Sequence, residues 1–138
     1  MTPEALAGIH AAAFAHSRGW HAAEIADLLA QPHTDLFHRT GGFAITRTLA
    51  GESELLTLAV APDHQRKGIA KSLLQRWLAQ IAPQADSAFL EVAADNSPAL
   101  ALYSGLAFAP TGLRKGYYTR ADAAPIDAIV MARDLPSL

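Results

Sequence analysis

The chain reads Val60-Ala61-Pro62-Asp63-His64-Gln65-Arg66-Lys67-Gly68-Ile69-Ala70-Lys71-Ser72-Leu73-Leu74 where basic side chains, a glycine and a helix start coincide. Ahead of it, Leu55 to Val60 is an apolar run of strand length that ends at Pro62. Behind it, Ile69, Leu73, Leu74, Trp77, Leu78 and Ile81 recur with the spacing of one face of an amphipathic helix. The first N–H groups of a helix have no partner inside it, and a glycine lets a ligand come close to the backbone. Such a junction suits an anion, and phosphate is the usual one. The same residues also fit an ordinary strand-to-helix connection with basic surface side chains. Two phosphate motifs are excluded by inspection: no G-x-G-x-x-G occurs, and Lys71-Ser72 lacks the glycines of a Walker A loop.

A second constellation lies downstream. Leu90-Glu91-Val92 is followed by Asn96, by Ala99-Leu100-Ala101-Leu102-Tyr103 and by Leu106-Ala107-Phe108. Taken with Gln65-Arg66-Lys67-Gly68-Ile69-Ala70, it resembles the GCN5-related N-acetyltransferase (GNAT) superfamily. The pyrophosphate loop of that family is Gln/Arg-x-x-Gly-x-Gly/Ala, and its second motif runs Leu-Glu-Val, Asn, Ala-x-x-Leu-Tyr and Gly-Phe. Arg114-Lys115-Gly116-Tyr117-Tyr118 and Asp127-Ala128-Ile129-Val130-Met131 are similar to the tail of its bacterial ribosomal-protein-alanine acetyltransferase branch. The resemblance covers about Phe43 to Leu135 in order. It implies acetyl-CoA as co-substrate, no metal, and direct transfer to a primary amine, with a ribosomal or other protein N-terminus as the preferred acceptor. The rival readings are acetylation of a small-molecule amine and a non-catalytic acyl-CoA-binding module.

On that resemblance, the backbone of Leu58, Ala59 and Val60 meets the pantetheine arm. Gln65, Arg66, Lys67, Gly68, Ile69, Ala70 and Lys71 hold the pyrophosphate. Amine acetylation needs a neutral amine, a polarised thioester carbonyl and a proton for the departing thiolate. An α-amino group ionises near pH 8 and a lysine near 10.4, so the former needs less help at neutral pH. Glu91 is the candidate general base, directly or through water, or else a carboxylate solvated at a strand end. Tyr103, seven residues after Asn96, either serves the thiolate or packs as a core aromatic. Asn96 is a helix N-cap, a pantetheine contact, or both. Arg114, Tyr117 and Tyr118 are the candidate lining of the acceptor's path.

Other chemistries find little support. His10, His16 and His21 are spaced by six and five, not the i, i+4 of a helical metal pair. No G-x-S-x-G elbow supports a Ser-His-Asp hydrolase. Cysteine is absent, which removes disulfides, thiolate metal sites and a cysteine acyl-enzyme. Asp63 and His64 are expected as loop residues near the pyrophosphate.

The elements that must position these groups are legible in part. Helices are expected from Pro3 to Phe14, with Leu6, Ile9 and Ala13 inward, and from Ala22 to Ala30, with Ile25, Leu28 and Leu29 inward. Trp20, between them, is expected to plug the core. Leu36-Phe37-His38, Gly42 to Leu49 and Leu55 to Val60, separated by Thr40-Gly41-Gly42 and Ala50-Gly51-Glu52, read as an antiparallel meander. The long helix closes at Pro83, and Ser87 to Ala93 returns as a strand parallel to the one before it. Asn96-Ser97-Pro98 starts a short helix over Ala99 to Leu106. Phe108 to Tyr118 and Ile126 to Met131 form a final pair, with Thr119 to Pro125 expected as a polar loop. The sum is an α/β (α+β) fold of the GNAT type: a mixed, mostly antiparallel sheet flanked by helices, with a central parallel pair.

Composition bounds the setting. With 138 residues, one domain over 1–138 is expected. A net charge of -2 gives no broad basic field for nucleic acid. Met1-Thr2-Pro3-Glu4 has no signal-peptide pattern and no segment is apolar enough to span a bilayer, so a cytoplasmic setting without membrane contact is expected. Three departures from the family pattern stand out. Ala70 replaces the second glycine of the loop. Ala107 replaces the glycine that ends the second helix, at a cost of about 1–2 kcal/mol if it needs positive φ. Ala93 stands where the branch commonly has arginine, which weakens the acceptor assignment more than the acetyl-CoA one.

Overall fold

Three strands in sequence begin the sheet because each is bounded by a left-handed turn. The computed structural model describes residues 1–13, 21–120 and 123–135. After helices α1 (Pro3–Ala13) and α2 (Ala22–Ala30) come β1 (Thr34–Arg39), β2 (Gly42–Leu49) and β3 (Glu52–Val60). Gly41 (φ 81°) closes the first hairpin, and Ala50 (φ 53°) with Gly51 (φ 83°) the second. A short 3-10 turn, Pro62–His64, leads to α3 (Ile69–Ile81), then β4 (Ser87–Ala93), α4 (Ser97–Gly105), β5 (Ala109–Arg120) and β6 (Ala123–Asp134). The sheet order is β1-β2-β3-β4-β6-β5, antiparallel everywhere except between β3 and β4. That parallel pair follows from the helical crossover through α3.

Alternation along the strands divides the core in two. One face carries Ala44, Leu55, Ala88 and Leu90 against α3, whose Leu73, Leu74, Trp77 and Ile81 are fully buried. Each such large apolar side chain contributes about 1.5–3 kcal/mol over leaving it in water. Trp77 also donates its indole N–H to Ser53 Oγ at 2.8 Å and stacks on Phe108 at 6.1 Å. The other face buries Phe43, Ile45 and Ala59 beneath Leu6 of α1 and Ile25 of α2. Leu28 and Leu29 of α2 are only partly buried there.

Two irregularities open the sheet. The β3–β4 ladder lasts for Glu52↔Ser87, Ser53↔Ala88 and Glu54↔Phe89 and then stops, so Leu55–Val60 and Leu90–Ala93 diverge. At the same point Ile45 faces Thr57 while Thr46 faces Leu55, leaving Leu56 as a bulged extra residue in β3. The bulge puts Leu56 on the α1–α2 side without moving Leu55 or Leu58 from the α3 side.

Most expected elements are present, with corrections at their ends. The expected polar loop over Thr119 to Pro125 is strand at both ends: β5 runs to Arg120 and β6 starts at Ala123, with Tyr118↔Ile126 and Arg120↔Ala123 paired, and residues 121–122 lie outside the described residues. Polarity suggested a loop, but ladder hydrogen bonds extend a long hairpin regardless of side-chain type. In the final pair it is β6 that lies beside β4. Phe14 and Trp20 lie outside the described residues. Among the described residues, no helix is long and apolar enough to cross a membrane.

Candidate active site

The strand-to-helix junction is held from three sides. Gln65 donates its side-chain amide to the Val60 carbonyl at 3.0 Å, so this side chain ties the turn to the strand it leaves. The Ala61 N–H donates to the Gly41 carbonyl at 2.8 Å, which seats the β1–β2 hairpin on the same turn. A Cβ on Gly41 would land on the His64 imidazole, and one on Gly42 would stand 2.8 Å from Ile69 Cγ2. The glycine pair is therefore a requirement of this close approach as well as of the hairpin. Arg66 (φ 63°) and Gly68 (φ 75°) are both left-handed. Successive turns of that kind point backbone N–H groups to one side and form an anion-accepting concavity.

Gly68 is the N-cap of α3, and no side chain caps the helix there. Its carbonyl accepts from Ser72 N–H at 3.0 Å, and the N–H groups of the first turn have no partner within the helix. A Cβ built on Gly68 would meet nothing within 4 Å. Arg66, Lys67 and Lys71 are exposed around this open space, while the Ile69 side chain is in the core and offers only backbone. Ala70 sits within the first turn of α3.

The second motif caps and closes α4. Asn96 Oδ1 accepts from the Ala99 N–H at 3.2 Å, so the side chain caps α4. Tyr103 is buried and meets Phe108 edge-on at 6.2 Å. Burial, reinforced by the neighbouring Tyr118, pushes its phenol well above the ordinary range. At the other end, Phe108 N–H donates to Tyr103 O at 3.0 Å and Ala107 N–H to Ser104 O at 3.1 Å. This is a Schellman closure with Ala107 (φ 69°) in the left-handed position that favours glycine.

Beyond the divergence of β3 and β4 lies a cavity of about 400 Å³ on the α1–α2 side of the sheet. Leu28 of α2, Glu54, Leu55 and Leu56 of β3, and Glu91 of β4 line it, with Arg114, Tyr117 and Tyr118 from β5. Glu91 faces this side because Leu90 and Val92 alternate toward the core. The Arg114 guanidinium is 3.1 Å from Glu91 Oε1 and lies over the Tyr117 ring, 5.2 Å from its centroid. Tyr117 and Tyr118 meet edge-on at 5.2 Å.

A bulge in β5 delivers these three side chains. Arg114 faces Ala128 but Tyr118 faces Ile126, so β5 spends four residues where β6 spends two. The Gly116 N–H donates to Asp127 Oδ1 at 2.8 Å, and Gly116 takes φ 60°. The Tyr118 phenol is pushed up, first by burial and then by Glu91 and Tyr117, with Arg114 opposing.

Of the residues singled out in the sequence, Glu91, Arg114, Tyr117 and Tyr118 come together in one cavity, while Tyr103 does not line it and packs in the α3-side core beside Phe108. The loop from Gln65 to Lys71 stands apart, where β3 hands over to α3. Leu58, Ala59 and Val60 lie between, on the strand edge that β4 has left. Leu28, Glu54 and Leu56 are lining residues that sequence patterning missed. Leu28 reaches the site from α2, and Glu54 and Leu56 line it because the β3–β4 ladder ends at Glu54. Among the described residues no group of three His, Asp or Glu side chains is placed to hold a metal.

Comparison with known proteins agrees with this geometry. The model of the acetyltransferase (GNAT) family matches residues 12–108. The [ribosomal protein bS18]-alanine N-acetyltransferase of Escherichia coli K12 is 37% identical over 95 residues, 68% of this chain and 64% of that relative's length. The N-alpha-acetyltransferase RimI of Mycobacterium tuberculosis is 36% identical over 137 residues, covering 93% of this chain and 84% of the relative. The crystal structure of the E. coli ribosomal-protein-S18-alanine N-acetyltransferase superposes with a TM-score of 0.85 at 32% identity, over 99% of this chain and 88% of that one. The loop, the parted strands and these matches agree: the chain belongs to the acetyltransferase (GNAT) family.

Proposed function

We propose that residues 1–138 form a single-domain N-acetyltransferase that moves an acetyl group from acetyl-CoA directly to a primary amine, foremost the α-amine of a protein N-terminus. The observation that carries the reading is one cavity holding Glu91, Arg114, Tyr117 and Tyr118 beside the point where β3 and β4 part. The uncapped start of α3 fits a pyrophosphate, since it combines open space over Gly68 with Arg66, Lys67 and Lys71. The parted edge of β3 at Leu58, Ala59 and Val60 offers backbone groups to an extended pantetheine, and Asn96 follows the end of β4 as the cap of α4. The aligned relatives named above for alanine and N-alpha acetylation support the choice of acceptor. The reaction then belongs in the cytoplasm, where acetyl-CoA and new N-termini meet.

Chemically, an α-ammonium loses a proton to Glu91, directly or through water. The freed lone pair attacks the thioester carbon, the C–S bond breaks, and CoA leaves as thiolate, which takes up the second proton that the acylated nitrogen sheds. Tyr103 donates a hydrogen bond to that sulfur. A thiol ionises near pH 8.5 and an unperturbed phenol near 10, so the raised phenol keeps its proton and stabilises the charge instead. The net change is ammonium plus thioester to amide, thiol and one released proton. Arg114, Tyr117 and Tyr118 guide the acceptor to Glu91.

The test is release of free thiol from acetyl-CoA across a panel of N-terminal peptides and small amines. Turnover with alanine-led peptides supports the reading. Turnover confined to small amines replaces the acceptor, and acetyl-CoA binding without turnover on any member replaces the enzyme with a binding module.

A further inference from the structure

Among the described residues Glu54 is the one carboxylate in the cavity besides Glu91, and nothing in the roles above uses it. It occupies the last paired position of β3, opposite Phe89, and Glu91 is two residues farther along β4. Both side chains therefore issue on the α1–α2 side of the sheet, one from each wall of the opening. Each is met by an arginine: Arg47 Nη2 at 3.3 Å from Glu54 Oε1, and Arg114 Nη2, itself in the cavity lining, at 3.1 Å from Glu91 Oε1. The two ion pairs offset the repulsion that two neighbouring carboxylates would otherwise feel, and they leave one oxygen of each carboxylate outside the ion-pair contact. Glu54 is three-quarters buried, so a cation reaching it in the cavity is poorly screened by solvent.

Building on the acetyltransferase reading, we propose that Glu54 is a second acceptor-binding carboxylate, which with Glu91 seats the acceptor's ammonium before its proton is removed. An α-amino group with a pKa near 8 is about nine-tenths protonated at pH 7, so the acceptor arrives as a cation. Glu91 alone would have to attract that cation and also take its proton. With Glu54 holding part of the charge, Glu91 accepts the proton while the nitrogen stays in place. The apolar wall of Leu28 and Leu56 beside Glu54 then faces the first side chain of the acceptor, which suits a small apolar one.

Binding tests this without relying on turnover. Calorimetry of the full chain with CoA present compares an alanine-led tetrapeptide with its N-acetylated twin. Wild type should bind the free amine about tenfold more tightly, the value of one charge-assisted contact, and Glu54→Gln should remove most of that preference. Arg47→Gln, which breaks the ion pair to Glu54 but keeps the carboxylate, should retain the preference, and Glu54→Asp should restore part of it. In steady state, Glu54→Gln should raise the acceptor KM about tenfold and leave the KM for acetyl-CoA unchanged. No amine preference in wild type, an unchanged preference in Glu54→Gln, or its full loss in Arg47→Gln would each overturn the proposal. A wild type that binds the amine selectively yet releases no thiol would instead overturn the enzymatic reading and leave Glu54 in its role.

Discussion

Replacing Ala107 with glycine should stabilise the chain by about 0.5–1 kcal/mol. Ala107 sits at φ 69°, in the closing position of α4, held there by the Phe108-to-Tyr103 and Ala107-to-Ser104 hydrogen bonds. A left-handed residue with a Cβ costs about 1–2 kcal/mol, and glycine removes that cost. Against this, glycine loses about 0.5–1 kcal/mol more backbone entropy on folding. The alanine side chain is exposed, so its removal opens no cavity. For a chain of this size the net gain corresponds to a melting temperature about 2–4 °C higher. Urea denaturation should show a higher midpoint with an unchanged slope, and Ala107→Asn, which tolerates the same backbone better than alanine, should fall between the two. The reasoning is refuted if glycine lowers the midpoint, or if asparagine lies below alanine.

Three further outcomes follow from the site and its surroundings. Glu91→Gln should lower kcat by about 10²–10⁴ and Tyr103→Phe by about 10², with the Tyr103→Phe protein still folded because the ring contact to Phe108 needs no hydroxyl; unchanged kcat in both with a working acceptor would sink the assignment of roles. Acetyl-CoA should raise the melting temperature of wild type but not of Gly68→Glu, whose carboxylate would enter the open space over the α3 N-terminus, and equal shifts would remove that loop from the site. Stability should fall as pH rises above about 10, because there the unfolded phenols ionise while those of buried Tyr103 and half-buried Tyr118 are held toward the protonated form. The unfolded state then binds fewer protons, so the contribution is complete below pH 10 and lost above it. Chemical denaturation at pH 9 and 11 should show this drop diminished in Tyr103→Phe, and an equal drop in both proteins would contradict it.

Much of this protein can be read from local pattern. The apolar face of Ile69, Leu73, Leu74, Trp77 and Ile81 determines α3, because period 3.6 is a property of the residues themselves. The Asn96 cap and the alternation through Ala88, Leu90 and Val92 are equally local, and they already place Glu91 on the opposite face. The loop from Gln65 to Ala70 carries its own signal in Gly68, whose left-handed backbone a side chain would strain.

Only the tertiary structure decided what the opening contains. A bulge inserts one residue and resets the two-residue period, and nothing in Leu55-Leu56-Thr57 announces where that happens. The bulge at Leu56 and the one around Gly116 together turn Leu56, Arg114 and Tyr117 toward Glu91, from strands far apart in sequence. Glu54 joined the site through the parting of β3 from β4. Its neighbours in the chain mark it as a solvated strand-start carboxylate, while its place at the last rung of a ladder that parts puts it in the wall of the cavity. The long β5–β6 hairpin was hidden too, since ladder hydrogen bonds belong to the backbone and leave little trace in polar side chains. Local periodicity determined which elements form and where the pyrophosphate loop begins, and the parting of β3 from β4 determined which side chains share the space at its other end.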